Sequence, residues 1–67
     1  MAIRLNGEAR AWPAPATITD LLAQLAIDPR VVAVELNRVV VKRAQYPATL
    51  VHDGDVVEIV AFVGGGA

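Results

Sequence analysis

One short helical stripe with valine-rich, alternating segments on either side constrains this chain more than any other feature. Thr17-Ile18-Thr19-Asp20 has the form of a capping box, with Thr17 as N-cap and the Asp20 carboxylate reaching back toward it at the positive helix end. Ile18, Leu21, Leu22, Leu25 and Ala26 then recur at helical spacing, and Asp28-Pro29 predicts a stop within about three turns. A helix this short does not persist alone in water, so its apolar stripe must lie on a sheet. With 67 residues and no cysteine, the chain has room for one small domain held by packing, since no disulfide or Cys-based zinc site can help. Hydrophobic residues make up 55% against 19% charged, the balance of a folded chain rather than a disordered one.

The sheet can be read from alternation and turn chemistry. Met1, Ile3 and Leu5 alternate with Ala2 and Arg4, and Asn6-Gly7 is a strong hairpin signal. A two-residue loop would set Leu5 opposite Glu8 and Ile3 opposite Arg10, with charges on the apolar face. One extra loop residue aligns Leu5 with Ala9 and Ile3 with Ala11, and this longer loop is the expectation. Pro13 and Pro15 end the second strand, and Trp12 is expected to cover an edge of the core. Val31–Leu36 and Val39–Arg43 flank Asn37-Arg38, whose two-residue loop pairs Leu36 with Val39 and Val34 with Val41. Val32, Val34, Leu36, Val39 and Val41 then share the core face, leaving Ala33, Glu35, Val40 and Lys42 on the other. Asp53-Gly54-Asp55 turns the chain into a last strand, Val56–Val63, with Val57, Ile59 and Ala61 toward the helix and Glu58, Val60 and Phe62 outward. The sum is an α+β domain, a ββαββ mixed sheet with one helix on one face. The last strand belongs at the sheet centre, because a long valine-rich edge would invite aggregation.

Several classes of function are excluded. The net charge is −1, the pI is near 5.6 and the six basic residues are scattered, so no basic stripe exists for nucleic acid. No apolar run approaches the ~20 residues of a membrane helix, and the N-terminus reads as a strand rather than a signal peptide. Absent cysteine fits the cytosol, and a soluble cytoplasmic protein with neither nucleic-acid nor membrane partners is expected. Serine and cysteine are missing and His52 is the only histidine, so Ser and Cys triads cannot be assembled and His52 is given no role. Asp53 and Asp55 around Gly54 fit either a turn or, faintly, a cation loop. No metal site is expected.

The informative feature is Gly64-Gly65-Gly66, followed by Ala67. Three successive glycines after a long strand predict an extended, mobile tail. It is either a frayed end or a stalk without Cβ atoms, able to enter a narrow channel of another protein and present a carboxylate there. A carboxylate is a poor electrophile and needs activation, for example adenylation by ATP, before it accepts a nucleophile.

The residues resemble a known family nearly end to end. Ile3-Arg4-Leu5-Asn6-Gly7-Glu8, Thr17 through Leu25, Val34-Glu35-Leu36-Asn37 with Val39-Val40 and Arg43, and Asp53-Gly54-Asp55-Val56-Val57-Glu58-Ile59-Val60 leading to Phe62-Val63-Gly64-Gly65-Gly66 are similar to the ThiS family. These are small sulfur carriers of thiamine biosynthesis with the ubiquitin-like β-grasp fold, related to MoaD. The resemblance implies a β-grasp domain over residues 1–63 and a carrier tail over 64–67. It also implies a carrier rather than an enzyme. A ThiF-like E1 enzyme, using ATP and magnesium that the carrier itself does not hold, adenylates the terminal glycine. A cysteine desulfurase system supplies sulfur to form a thiocarboxylate, and a ThiG-like thiazole synthase receives it. Gly65-Gly66 matches the diglycine, with the Gly66 carbonyl as reactive centre. Alternatives within and outside the fold are a carrier for molybdopterin or another sulfur pathway, and a passive interaction module.

Two positions depart from the pattern. Lys42 stands where proline is common, which a strand end tolerates. Ala67 follows the diglycine and would shift a carboxylate by roughly 3.5 Å. Removal of Ala67 by a peptidase is the expectation, ahead of an E1-like enzyme that accepts alanine or an inactive copy. Outward Val60, Phe62 and Val40, beside Ala33 and with Gly64 at the tail's root, form the expected partner-docking patch.

Overall fold

The computed structural model describes residues 1–13 and 15–62. The main sheet has five strands: β1 (Ala2–Leu5), β2 (Glu8–Ala11), β4 (Val32–Leu36), β5 (Val39–Val41) and β7 (Val56–Ala61), in the spatial order β2-β1-β7-β4-β5. The last strand therefore lies at the centre, parallel to β1 and antiparallel to β4. Two of these strands precede the helix and three follow it, the second hairpin and the last strand read from the sequence. Helix α1 (Ile18–Gln24) crosses one face of the sheet. Its start is built as the sequence predicts: the Asp20 amide donates to Thr17 Oγ1 and the Thr17 amide donates to the Asp20 carboxylate, each at 3.1 Å.

The core forms where that helix meets the centre of the sheet. Ile18, Leu21 and Leu22 pack with Ile3, Leu5, Val32, Val34 and Val57, and removing a side chain of this size from water contributes about 1.5–3 kcal/mol each. Trp12 is buried as expected, with its indole Nε1 lacking a hydrogen-bond partner among the described residues. The two ends of the first hairpin are locked together, since the Met1 ammonium donates to the Trp12 carbonyl at 2.6 Å and the Trp12 amide to the Met1 carbonyl at 2.7 Å.

Five expectations are corrected. The first hairpin has the two-residue loop after all, pairing Leu5 with Glu8 and Ile3 with Arg10. Asn6 and Gly7 both have positive φ, 49° and 83°, which is the primed turn that such a loop uses. A longer loop would be favoured only if the second strand had a buried face. All of β2 is exposed, because α1 does not reach across to this edge, so Glu8 and Arg10 remain in water. The helix also ends at Gln24, well before Asp28-Pro29. Ala26 takes a left-handed φ of 57°, and the Ile27 amide donates back to the Leu22 carbonyl at 2.9 Å while that of Ala26 donates to Ala23 at 3.1 Å. That is a Schellman closure built on alanine where glycine is usual.

Third, Val39 is exposed rather than in the core, since β5 is an edge strand beyond the helix, and Ala61 is exposed because it is the last residue of the central strand β7. Fourth, the last strand closes at Ala61; Val63 lies outside the described residues. Fifth, the stretch after β5 is not a plain connector. A 3₁₀ turn over Arg43–Ala48 buries Tyr46, and β6 (Leu50–Val51) pairs with β3 (Ala16–Thr17) in a second, two-stranded sheet that buries Val51 and Ala16. These residues close the core beneath the start of α1.

Candidate functional site

β7 carries the features that bear on function, and its placement comes from two turn residues. β1 pairs with β7 only at Arg4–Val56 and Leu5–Val57. Beyond that point the Asn6 side chain substitutes for a strand: its Oδ1 accepts from the Ile59 amide at 2.7 Å and its Nδ2 donates to the Ile59 carbonyl at 3.2 Å. Asn37, at φ 52° in the second hairpin, does the same on the other flank. Its Oδ1 accepts from the Val56 amide at 2.9 Å and its Nδ2 donates to Asp55 at 3.0 Å. Sequence reading assigned these asparagines to turns alone, because only the register of the fold shows what their amides reach.

Alternation along β7 then sorts its side chains. Val57 is fully buried and Ile59 half-buried, whereas Val60 and Phe62 are 59% and 58% exposed on the face opposite the helix. Ala33 lies across from Val60, and Val40, 66% exposed, lies across from Glu35 one row away. The structure thus brings Val60, Phe62, Ala33 and Val40 onto one face as expected. Glu35 pairs directly with Glu58 in the same face, a juxtaposition that sequence reading did not single out. The Phe62 amide donates to the Val31 carbonyl at 2.8 Å, which carries the contact with the β4 side one residue past the end of β7. Gly64, Gly65, Gly66 and Ala67, the expected tail and reactive end, lie outside the described residues.

The remaining polar candidates have structural roles. Asp53 accepts from the Ala2 amide at 2.7 Å, and Asp55 from the His52 amide at 2.7 Å, so the turn reading of this loop fits without a cation. His52 is largely exposed, its Nδ1 3.9 Å from the Asp55 carboxylate. Among the described residues no group of His, Asp and Glu is placed to hold a metal. The Asp28 carboxyl is held at about 2, below its usual 3.8, chiefly by the hydrogen bond from the exposed Arg30 guanidinium. A groove of about 610 Å³ opens on the inner face where α1 stops short, with Leu5, Ile59 and Val32 among its floor residues and Glu8 and Arg10 along its rim. No set of convergent polar groups marks it as a catalytic pocket.

A five-stranded mixed sheet grasping one helix, with its C-terminal strand at the centre and running out toward glycines, defines a small β-grasp protein of the ubiquitin-like type. The model of the ThiS family matches residues 3–66, and the chain belongs to that family. It is 40% identical over 65 residues to the sulfur carrier protein ThiS of Bacillus subtilis, covering 96% of this chain and 98% of that one. The crystal structure of the thiamine biosynthesis protein ThiS from Geobacter metallireducens superposes with a TM-score of 0.87 at 38% identity, over 98% of this chain and 100% of that one. The chain is also 46% identical over 67 residues to a thiazole synthase of Paramagnetospirillum magneticum, of which it spans 21%. A thiazole synthase of Magnetococcus marinus is 44% identical over 66 residues, and the chain covers 20% of its length. The chain therefore spans about a fifth of these two relatives.

Proposed function

We propose that this chain is a sulfur carrier of thiamine biosynthesis, acting as co-substrate of other enzymes rather than as a catalyst. The observation that carries the reading is the course of β7: the central strand, held on both flanks, leads through Phe62 into Gly64-Gly65-Gly66, and the ThiS family match runs on through Gly66. The reactive group is the carboxylate of Gly66, exposed once a peptidase removes Ala67 and whatever follows it. An E1-like enzyme joins that carboxylate to AMP from ATP with magnesium, releasing pyrophosphate. Persulfide sulfur from a cysteine desulfurase system displaces AMP to form an acyl disulfide, and a thiol cleaves its S–S bond, becoming a disulfide itself, to leave a thiocarboxylate, a better nucleophile than the carboxylate it replaces. Gly65 and Gly64 lack the Cβ atoms that would hinder entry to a narrow channel.

The acceptor is a thiazole synthase. Two thiazole synthases contain a stretch similar to this whole chain, which is the arrangement expected if carrier and acceptor work as neighbours. Val40, Val60 and Phe62 form the face on which partners seat. Intact-mass measurement of a chain ending at Gly66, after incubation with an E1-like enzyme, ATP and a sulfur donor, tests the chemistry: this carrier gains the mass difference between sulfur and oxygen, and a chain lacking Gly65–Ala67 gains nothing. Binding should survive that deletion but weaken with Phe62→Asp, whose unfolding midpoint stays near wild type because Phe62 is outside the core. An unmodified mass in the complete reaction would reject the carrier reading.

A further inference from the structure

We propose that the β2 edge of the main sheet pairs with the β2 edge of a second copy of this chain, in an antiparallel dimer whose two-fold axis passes through Ala9. The strand order leaves two open edges, β2 and β5. Along the first hairpin, Met1 and Trp12 exchange hydrogen bonds, and in an antiparallel ladder such pairs alternate with pairs that exchange none. Met1–Trp12, Ile3–Arg10 and Leu5–Glu8 are therefore the bonded pairs. The amides and carbonyls of Ala9 and Ala11 then point away from β1, to the open edge, and all four residues of β2 are exposed. An edge with free donors and acceptors is a template for another strand.

Charge selects both the occupant and the register. With Ala9 across from Ala9 of the second copy, the two exchange a pair of backbone hydrogen bonds, and each Glu8 stands directly across from Arg10 of the other copy. Opposite charges at that spacing stabilise a sheet. Centring the pairing on Arg10 also lets the open amides meet, but it sets the two arginines against each other. Among the described residues the ion pairs are Arg30–Asp28 and His52–Asp55, so Glu8 and Arg10 are both available to a second copy. The other edge repels itself. Arg38 and Lys42 flank the three valines of β5, and self-pairing centred on Val40 would place cation against cation at both ends. Pairing through β2 uses up the edge it joins, so the assembly closes at two copies instead of growing into a fibre. The contact lies at the opposite edge of the sheet from Val40 and includes no residue of β7, so it stands independently of the carrier reading.

The test is sedimentation equilibrium of the full chain at rising concentration, comparing wild type with Arg10→Glu, Glu8→Arg and the double exchange of both. A four-residue edge is a small contact, so wild type forms a weak dimer that tightens at low salt. Each single exchange sets like charges across the axis and weakens the dimer about tenfold or more, whereas the double exchange restores it to within a factor of about three. Both side chains are exposed, so the variants keep the wild-type fold. Hydrogen exchange locates the contact: the Ala9 amide gains protection with concentration in wild type and the double exchange, and in neither single variant. A wild-type chain that stays monomeric to millimolar concentration overturns the proposal. So does a dimer that the single exchanges leave unchanged, or a double exchange no tighter than the singles.

Discussion

Asn6→Gly separates the two tasks of Asn6. The residue occupies a left-handed turn position at φ 49°, which glycine adopts at no steric cost, so the substitution keeps the turn while deleting the amide that holds Ile59. Two hydrogen bonds are lost, at 2.7 and 3.2 Å. Each contributes about 0.5–1.5 kcal/mol, with exposed bonds toward the lower end, and added chain entropy in the unfolded state brings the total cost to about 1.5 kcal/mol. For a domain of this size that lowers Tm by roughly 6–12 °C. The sharper readout is local. Ile59 lies past the last β1–β7 pair, so its amide should exchange with solvent much faster in the variant, whereas the amide of Val34, fully buried on the neighbouring strand, changes only as far as global stability does. Asn6→Asp retains an acceptor for the Ile59 amide and should preserve most of its protection. Equal protection of Ile59 in wild type and Asn6→Gly would refute the idea that this side chain replaces the missing strand.

Other outcomes follow from the same contacts. Ala26→Gly removes the left-handed strain of the helix closure and should raise stability by about 0.5–1 kcal/mol, read as a higher urea midpoint at constant slope. Leu21→Ala opens a cavity at a fully buried position and should cost about 2–5 kcal/mol, enough to populate unfolded chains of a domain this small. The Asp28 carboxyl titrates lower in the folded chain than in the unfolded one. Its pairing with Arg30 is therefore fully present above the usual 3.8 and is lost as pH falls toward about 2. Acid unfolding of Asp28→Asn should consequently be flatter across that window, by a small amount because the pair is exposed.

How far the sequence could be read depended on the range of the interaction. The capping box of Thr17 and Asp20 and the register of the β4–β5 hairpin were legible because both are settled within a few residues. The outward set Val40, Val60 and Phe62 followed from strict alternation once β7 was placed at the centre. The first hairpin was misread because alternation was taken to imply a buried face on both strands, when a seven-residue helix cannot cover an edge strand. The helix end was assigned to Asp28-Pro29, an unmistakable stop, although Ala26 had already left the helical region. Tyr46 and Val51 were missed as core because neither lies in a periodic segment; only the folded chain carries them under α1. The opposition of Glu35 and Glu58 depends on a pairing between strands far apart in sequence, which no local pattern reveals.

The same register bears on how a carrier could deliver its terminus. The face proposed for docking includes Val60 on β7 and Phe62 just past it, and β7 is the strand that precedes the glycines, so a partner seated there has the proposed reactive end at a distance set by residue count. Gly66 lies four residues beyond Phe62, and four fully extended residue steps reach ~14 Å. An acceptor that binds this face must therefore hold its reacting atoms within that radius of Phe62. Inserting one glycine after Val63 lengthens the reach by roughly 3.5 Å without touching the face. If the docked geometry sets the position of the terminus, the insertion should leave affinity for the partner unchanged and lower the rate of sulfur transfer; an unchanged rate would mean that the tail finds its channel independently of where the domain sits.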